Sequence, residues 1–399
     1  MMSNRRLTIA CLMIVAAGSF TACGSGSSSS SRAAANTVPI AVNGGPNNNY
    51  ANGVFATVSV CVAGTSTCQM IPDVLVDTGS FGLRILSSAM GTMGVSLAQQ
   101  KGSNGNPIFE CAQFVNSVLW GPVKTADVQM GSQKAPGIPV QIIDSTTVPV
   151  PSGCKSIGPP EEDLTSLGAN GILGIGFFIS DCGNACAMSG SSNPGFYYSC
   201  AASSCSVTTQ ATSAQVQNPV AAFAQDNNGV LIELPASAST APSLNGSLIF
   251  GIGTQNNNSI GAAQVFKPDN FGNLVTTFKT KQYAGFLDTG SNGYFFLDST
   301  LTGLTDCPSP ETGFYCPPSP ANLSATNASA PGGTNNTVNF TIGNASQMLS
   351  SSGDFVFPTL GGPNPGSFDW GLPFFFGRKV FVAIEGRSTP SGAGPFWAY

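Results

Sequence analysis

The 399-residue chain contains no histidine. That absence excludes Ser-His-Asp and Cys-His nucleophile systems and any His-ligated zinc site. Acid and base work would have to come from carboxylates, lysine, tyrosine or cysteine. Charge is scarce too: charged residues make up 8% of the chain, 14 basic against 19 acidic, for a formal net charge of -5. No basic run is present, so nucleic acid is not an expected partner. Ser, Thr, Asn, Gly and Gln supply most of the polarity, as expected of an extracytoplasmic surface with little electrostatic steering.

The N-terminus carries Arg5 and Arg6 followed by the apolar stretch Leu7 to Ala17, too short for a membrane span. Residues 1–22 therefore read as an export signal. Phe20-Thr21-Ala22-Cys23 and the Gly/Ser run behind it resemble a bacterial lipoprotein signal, with Cys23 as the lipidated first residue and membrane anchor. Phe20 stands where Leu is usual, and ordinary signal cleavage nearer Ala33-Ala34-Ala35 is the competing reading. Either way the protein is exported, with the cell envelope as its expected place; Gly24 leans toward the outer membrane. Cleavage before Cys23 removes two arginines and no acids, moving the charge from -5 to -7.

Cys11 and Cys23 belong to that leader, leaving ten of twelve cysteines. An even number in an exported chain reads as a disulfide set. Proximity favours Cys61–Cys68 and Cys307–Cys316 as local staples and Cys111–Cys154 as a longer link. Cys182, Cys186, Cys200 and Cys205 fall in one clustered loop with their pairing open. A four-thiolate metal site from these last four is the rival reading; no metal and no cofactor are expected.

Residues 23–38 read as a Ser/Gly/Ala-rich tether. Beyond them, short apolar or alternating segments are broken every eight to twelve residues by Gly, Pro and Asn, the rhythm of an all-β protein with few short helices. Pro219 followed by Val220 to Gln225 is the best short helix. Roughly 360 ordered residues exceed one ordinary β domain, so two lobes are expected, 39–255 and 256–399. The stretch at about 177–218 reads as a disulfide-bearing surface insertion. Pro317 to Asn336 reads as a second loose stretch, and the sequons at Asn245, Asn322, Asn327 and Asn344 as polar loop sequence.

Asp-Thr-Gly-Ser occurs twice, at 77–80 and 288–291, each time after a short apolar run: Val74-Leu75-Val76 and Gly285-Phe286-Leu287. One such tetrapeptide is ordinary turn punctuation. Two identical copies, 211 residues apart in an acid-poor chain, suggest two copies of one lobe facing across a cleft. Carboxylates held roughly 3 Å apart cannot both ionise easily and share one proton, a pair able to activate water.

With the β-rich context, these turns resemble the bilobal pepsin-like aspartic peptidases. The likeness extends to apolar-apolar-Gly segments that pass beside each turn in that family: Asn170 to Gly176 for the first, Trp370 to Phe375 for the second. Gly246 to Gly251 resembles the strand ending the first half. The match covers about residues 50–399, and the chain also resembles an uncharacterised group of bacterial predicted lipoproteins of that clan. The resemblance implies Asp77 and Asp288 as the catalytic pair, acting on a peptide or protein substrate at acidic pH. It implies that Thr78 and Thr289 lock the turns together, that Gly79 and Gly290 permit close approach, and that Ser80 and Ser291 hydrogen-bond the carboxylates. One chain supplies both half-sites, so a monomer is expected. Two departures stand out. The flap stretch Phe114 to Gly121 has Phe114 near the family's tyrosine position, with Trp120 as flap packing or subsite wall. Arg84 replaces a frequent tryptophan and brings a cation near the site. A catalytically silent, tethered binding protein, holding a peptide or glycan in the cleft, is the alternative.

Overall fold

A computed structural model of the protein describes residues 34–201 and 204–399. The stretches read as signal (1–22), lipid attachment point (Cys23) and tether up to Ala33 lie outside the described residues. The first strand, Thr37–Asn43, opens two residues inside the stretch read as tether, because Val38, Ile40 and Val42 alternate inward and are buried.

The architecture is all-β with a few helices of three to five residues. Most strands join one 16-stranded sheet, and residues 274–370 contribute a second, seven-stranded sheet. The division expected at 255/256 is crossed by the chain. Strand Lys379–Ala383 returns to the larger sheet, pairing antiparallel with Gly229–Glu233, and Phe396–Ala398 follows beside it. Val380, Val382 and Trp397 of these strands join the apolar core that also takes in Phe374, Phe375 and Phe376, while Phe381, Ala383, Phe396 and Ala398 pack in a second cluster. Buried Asn52 links the two parts of the chain, donating to the carbonyls of Asn292 (2.7 Å) and Phe357 (2.9 Å) and accepting from Phe357 N–H (2.7 Å).

The two halves repeat one local device. Strand Cys68–Asp77 runs parallel to Gly171–Ile175, with Asp77 opposite Gly174. Strand Lys281–Leu287 runs parallel to Asn364–Trp370, with Leu287 opposite Trp370. Each Asp-Thr-Gly-Ser turn thus leaves a strand whose neighbour carries its apolar-Gly segment.

Elsewhere the fold departs from the sequence reading. The Pro317 to Asn336 stretch is no loose loop: Ala321–Ala328 and Asn335–Ile342 form a long antiparallel pair. Asn327, one of the sequon asparagines, is fully buried there and accepts hydrogen bonds from Thr276 Oγ1 (2.6 Å) and Trp370 Nε1 (3.0 Å). Polar composition hid the strand because its inward polar group is satisfied by hydrogen bonds. The helix expected after Pro219 is one 3₁₀ turn, Pro219–Ala222. In the Cys-rich stretch, Tyr197–Ala201 extends the sheet by pairing with Ile108–Gln113. All ten cysteines outside the leader form disulfides: Cys61–Cys68, Cys111–Cys154, Cys182–Cys186, Cys200–Cys205 and Cys307–Cys316. The four-thiolate metal reading is thereby overturned, since disulfide sulfurs are not available as thiolate ligands.

Candidate active site

The two turns meet back to back and interlock through their threonines. Thr78 Oγ1 donates to Leu287 C=O (3.0 Å) and accepts from Thr289 N–H (3.0 Å). Thr289 Oγ1 mirrors this, donating to Val76 C=O (2.7 Å) and accepting from Thr78 N–H (3.1 Å). Both threonines are buried, so these four bonds face little competition from water. Inside each turn the glycine N–H donates to its own aspartate, Gly79 to Asp77 and Gly290 to Asp288, both at 2.7 Å. The hydroxyl of Ser80 bonds Asp77, and Ser291 Oγ lies 2.9 Å from Asp288 Oδ2.

The glycines are required by the opposite turn. A Cβ on Gly79 would sit 2.7 Å from Asp288 Cγ, and one on Gly290 would sit 2.7 Å from Asp77 Oδ1. Each turn therefore presses its backbone against the other's carboxyl group. Asp288 is raised well above the usual carboxylate range by burial first, then by the neighbouring carboxyl groups of Asp77 and Asp369. Carboxyl groups brought this close can share one proton.

A cavity of about 430 Å³ opens on each side of the pair. One is walled by Phe81, Phe177, Phe196, Phe271, Phe286 and Trp397. The other is more polar and includes Tyr50, Ser117, Glu161 and Thr165. Phe114 lines both, at the tip of the hairpin joining Ile108–Gln113 to Val118–Met130. Trp120 lines neither: it is fully buried, stacked on Phe109 with its Nε1 donating to Val148 C=O (2.8 Å), so its role is packing of that hairpin.

Arg84 does reach the aromatic cavity, but not as a free cation. Its Nη2 lies 2.6 Å from Glu110 Oε1 and 3.0 Å from Asp181 Oδ2, with both ends of each pair buried. Tyr197 O–H donates to Asp181 Oδ1 at 2.6 Å. Burial works against the Arg84 charge, but Glu110 and Asp181 more than offset it. Burial and Glu110 likewise hold Asp181 well above the usual carboxylate range, against the pull of Arg84.

Sequence reasoning missed four participants: Glu110, Asp181, Tyr50 and Asp369. Tyr50 brings a phenol into the polar cavity, and its pKa is raised by burial and then by Glu161, Asp77 and Asp288. Asp369 lies 2.5 Å from Ser291 Oγ through its Oδ2. Its one sequence signal was an acid inside the apolar run Phe368-Asp369-Trp370. Among the described residues no group of His, Cys, Asp and Glu is arranged to hold a metal ion.

Fold and turns together define a bilobal pepsin-like architecture. It is similar to the crystal structure of aspartic proteinase from Irpex lacteus, at a TM-score of 0.50 and 15% identity, covering 91% of this chain and 96% of that one. At that identity the likeness carries the fold alone. By sequence the chain belongs to the family described as protein of unknown function (DUF3443), whose model matches residues 32–399. No curated protein matches it.

Proposed function

We propose that this protein is an exported aspartic-type endopeptidase whose dyad is Asp77 and Asp288. One observation carries the reading: two interlocked Asp-Thr-Gly-Ser turns press each backbone against the other's carboxyl group, and both carboxyl groups line two cavities. The ionised member takes a proton from water as the water oxygen bonds the scissile carbonyl carbon, while the protonated member hydrogen-bonds and then protonates the carbonyl oxygen. Collapse of the tetrahedral adduct breaks the C–N bond, and a carboxyl proton passes to the leaving amine. Water and peptide become acid and amine, with no covalent intermediate and no cofactor.

The aromatic cavity suits a bulky apolar side chain of a peptide or protein substrate. Both half-sites come from one chain, which favours a monomer. Five disulfides fit an oxidising destination, and no described helix is long and apolar enough to cross a membrane. Membrane attachment through a lipid on Cys23 is part of the proposal. A second reading, a silent binding protein using the same cleft, is favoured by Phe114, which cannot donate a hydrogen bond at the hairpin tip.

An unbiased peptide library, incubated with purified protein between about pH 3 and 7, decides between them. Cleavage by the parent and by neither Asp77→Asn nor Asp288→Asn supports the peptidase. Peptide binding without cleavage, unchanged in Asp77→Asn, supports the binding protein and overturns the dyad.

A further inference from the structure

Asp369 is a carboxyl group beside the dyad that the reaction as written does not use. It stands near the end of strand Asn364–Trp370, opposite Phe286 on one flanking strand and Phe295 on the other. It is buried, its Oδ1 has no hydrogen-bond partner, and none of the ion pairs among the described residues involves it. Its Oδ2 is 2.5 Å from Ser291 Oγ, which is in turn 2.9 Å from Asp288 Oδ2.

Ser291 carries one hydroxyl proton and sits between two carboxyl groups, so it can donate to only one of them. Were both ionised, the other would hold its charge against the hydroxyl lone pairs, buried and uncompensated. A protonated Asp369 resolves the conflict: its O–H donates to Ser291 Oγ, and Ser291 donates to Asp288. Ser80, in the first half-site, bonds Asp77 and no second acid among the described residues.

We infer that Asp369 is a positioning residue which, as a neutral acid, commits the Ser291 hydroxyl to Asp288. The catalytic consequence rests on the peptidase reading; the protonation does not. The charges facing Asp369 are Asp288 and Asp77, both acidic. The other titratable side chains of the flanking strands, Lys281, Tyr283 and Tyr294, make no hydrogen bond or ion pair with it. Burial pushes the Asp369 carboxyl up to about 8, the Ser291 hydrogen bond works against that rise, and Asp77 adds to it.

The sign of the pH effect follows. A carboxyl raised in the folded state contributes stability that is complete below its unfolded value, near 3.8, and is lost as pH climbs toward about 8. Asp369→Asn keeps a donor to Ser291 and does not titrate. Urea unfolding of parent and variant from pH 4 to 8 is therefore the first test. The midpoint of the variant is expected to gain on the parent steadily as pH rises; parallel curves would overturn the proposal.

The second test reads catalysis. Asp369→Asn, the conservative variant, is expected to retain more kcat than Asp369→Leu at acidic pH and to lose activity at higher pH than the parent does, because Ser291 is never drawn away. Asp369→Leu is expected to lower kcat about five- to tenfold with KM unchanged, the worth of one hydrogen bond. Placed on Ser291→Ala, Asp369→Leu is expected to have no further effect on kcat; an undiminished effect there would overturn the relay. A parent that cuts no peptide would defeat the peptidase reading, and the unfolding series would still decide whether Asp369 is neutral.

Discussion

The two half-sites begin from the same four residues and end in different electrostatic surroundings. Around Asp77, the buried charges are paired: Arg84 holds Glu110 and Asp181, and Tyr197 closes the network. Around Asp288, no cation among the described residues forms an ion pair with the buried acid; Asp369 stands behind Ser291, and the strand beyond is braced by the neutral trio Trp370, Asn327 and Thr276. Identical turns thus sit in unequal surroundings. The motif fixes the geometry of the carboxyl groups, while residues outside it, Asp369 among them, help hold Asp288 above the usual carboxylate range.

The widest test of that comparison removes one acid at a time. Asp77→Asn and Asp288→Asn are each expected to lower kcat by roughly 10²–10⁴-fold with circular dichroism unchanged. Near-parent turnover in either variant would mean that the halves do not act as a pair. Next in size is Arg84→Met, which leaves buried Glu110 without its counter-charge and Asp181 without its Arg84 donor. It should cost about 3–5 kcal/mol in urea unfolding, a loss confined to the first half, whereas Asp369→Asn in the second half should cost nothing at neutral pH. Gly79→Ala and Gly290→Ala come third. Each drives a methyl group into the opposite carboxyl at 2.7 Å, for about 1–3 kcal/mol. The two losses should be nearly equal, since the close approach is reciprocal; a large inequality would show that one turn can yield. The smallest effect is expected from Thr78→Val and Thr289→Val, about 1 kcal/mol for each hydrogen bond lost. Their double variant should lose less than the sum, because both hydroxyls belong to one interlock.

Much of this site was legible before folding. Asp77, Asp288 and their neighbours announce themselves because a tight carboxyl-bearing turn needs those residue types in consecutive order. The disulfides Cys61–Cys68 and Cys307–Cys316 were readable for a similar reason, short separation along the chain. Cys182–Cys186 and Cys200–Cys205 were left open because four nearby cysteines allow three pairings. Glu110, Asp181 and Tyr197 gave no warning, since they lie 26 to 113 residues beyond Arg84 and meet it only after the sheet forms. Arg84 consequently read as a free cation, when its charge is taken up by two acids. The Ala321–Ala328 strand was missed because its buried Asn327 looks like loop composition and is satisfied by partners some 50 residues away on either side.

By itself, then, the sequence determined the chemistry of which this chain is capable. Without histidine it leaves acid and base work to carboxylates, lysine, tyrosine or cysteine, and it writes one carboxyl-bearing turn twice in a β-rich chain. Only the tertiary structure decided the environment of that pair: the interlock of Thr78 with Thr289, the pairing of Arg84, and the seat of Asp369 behind Ser291. The physical reason is range. Turn geometry and strand alternation are set by neighbours in sequence, whereas burial and charge compensation depend on groups that folding alone brings together.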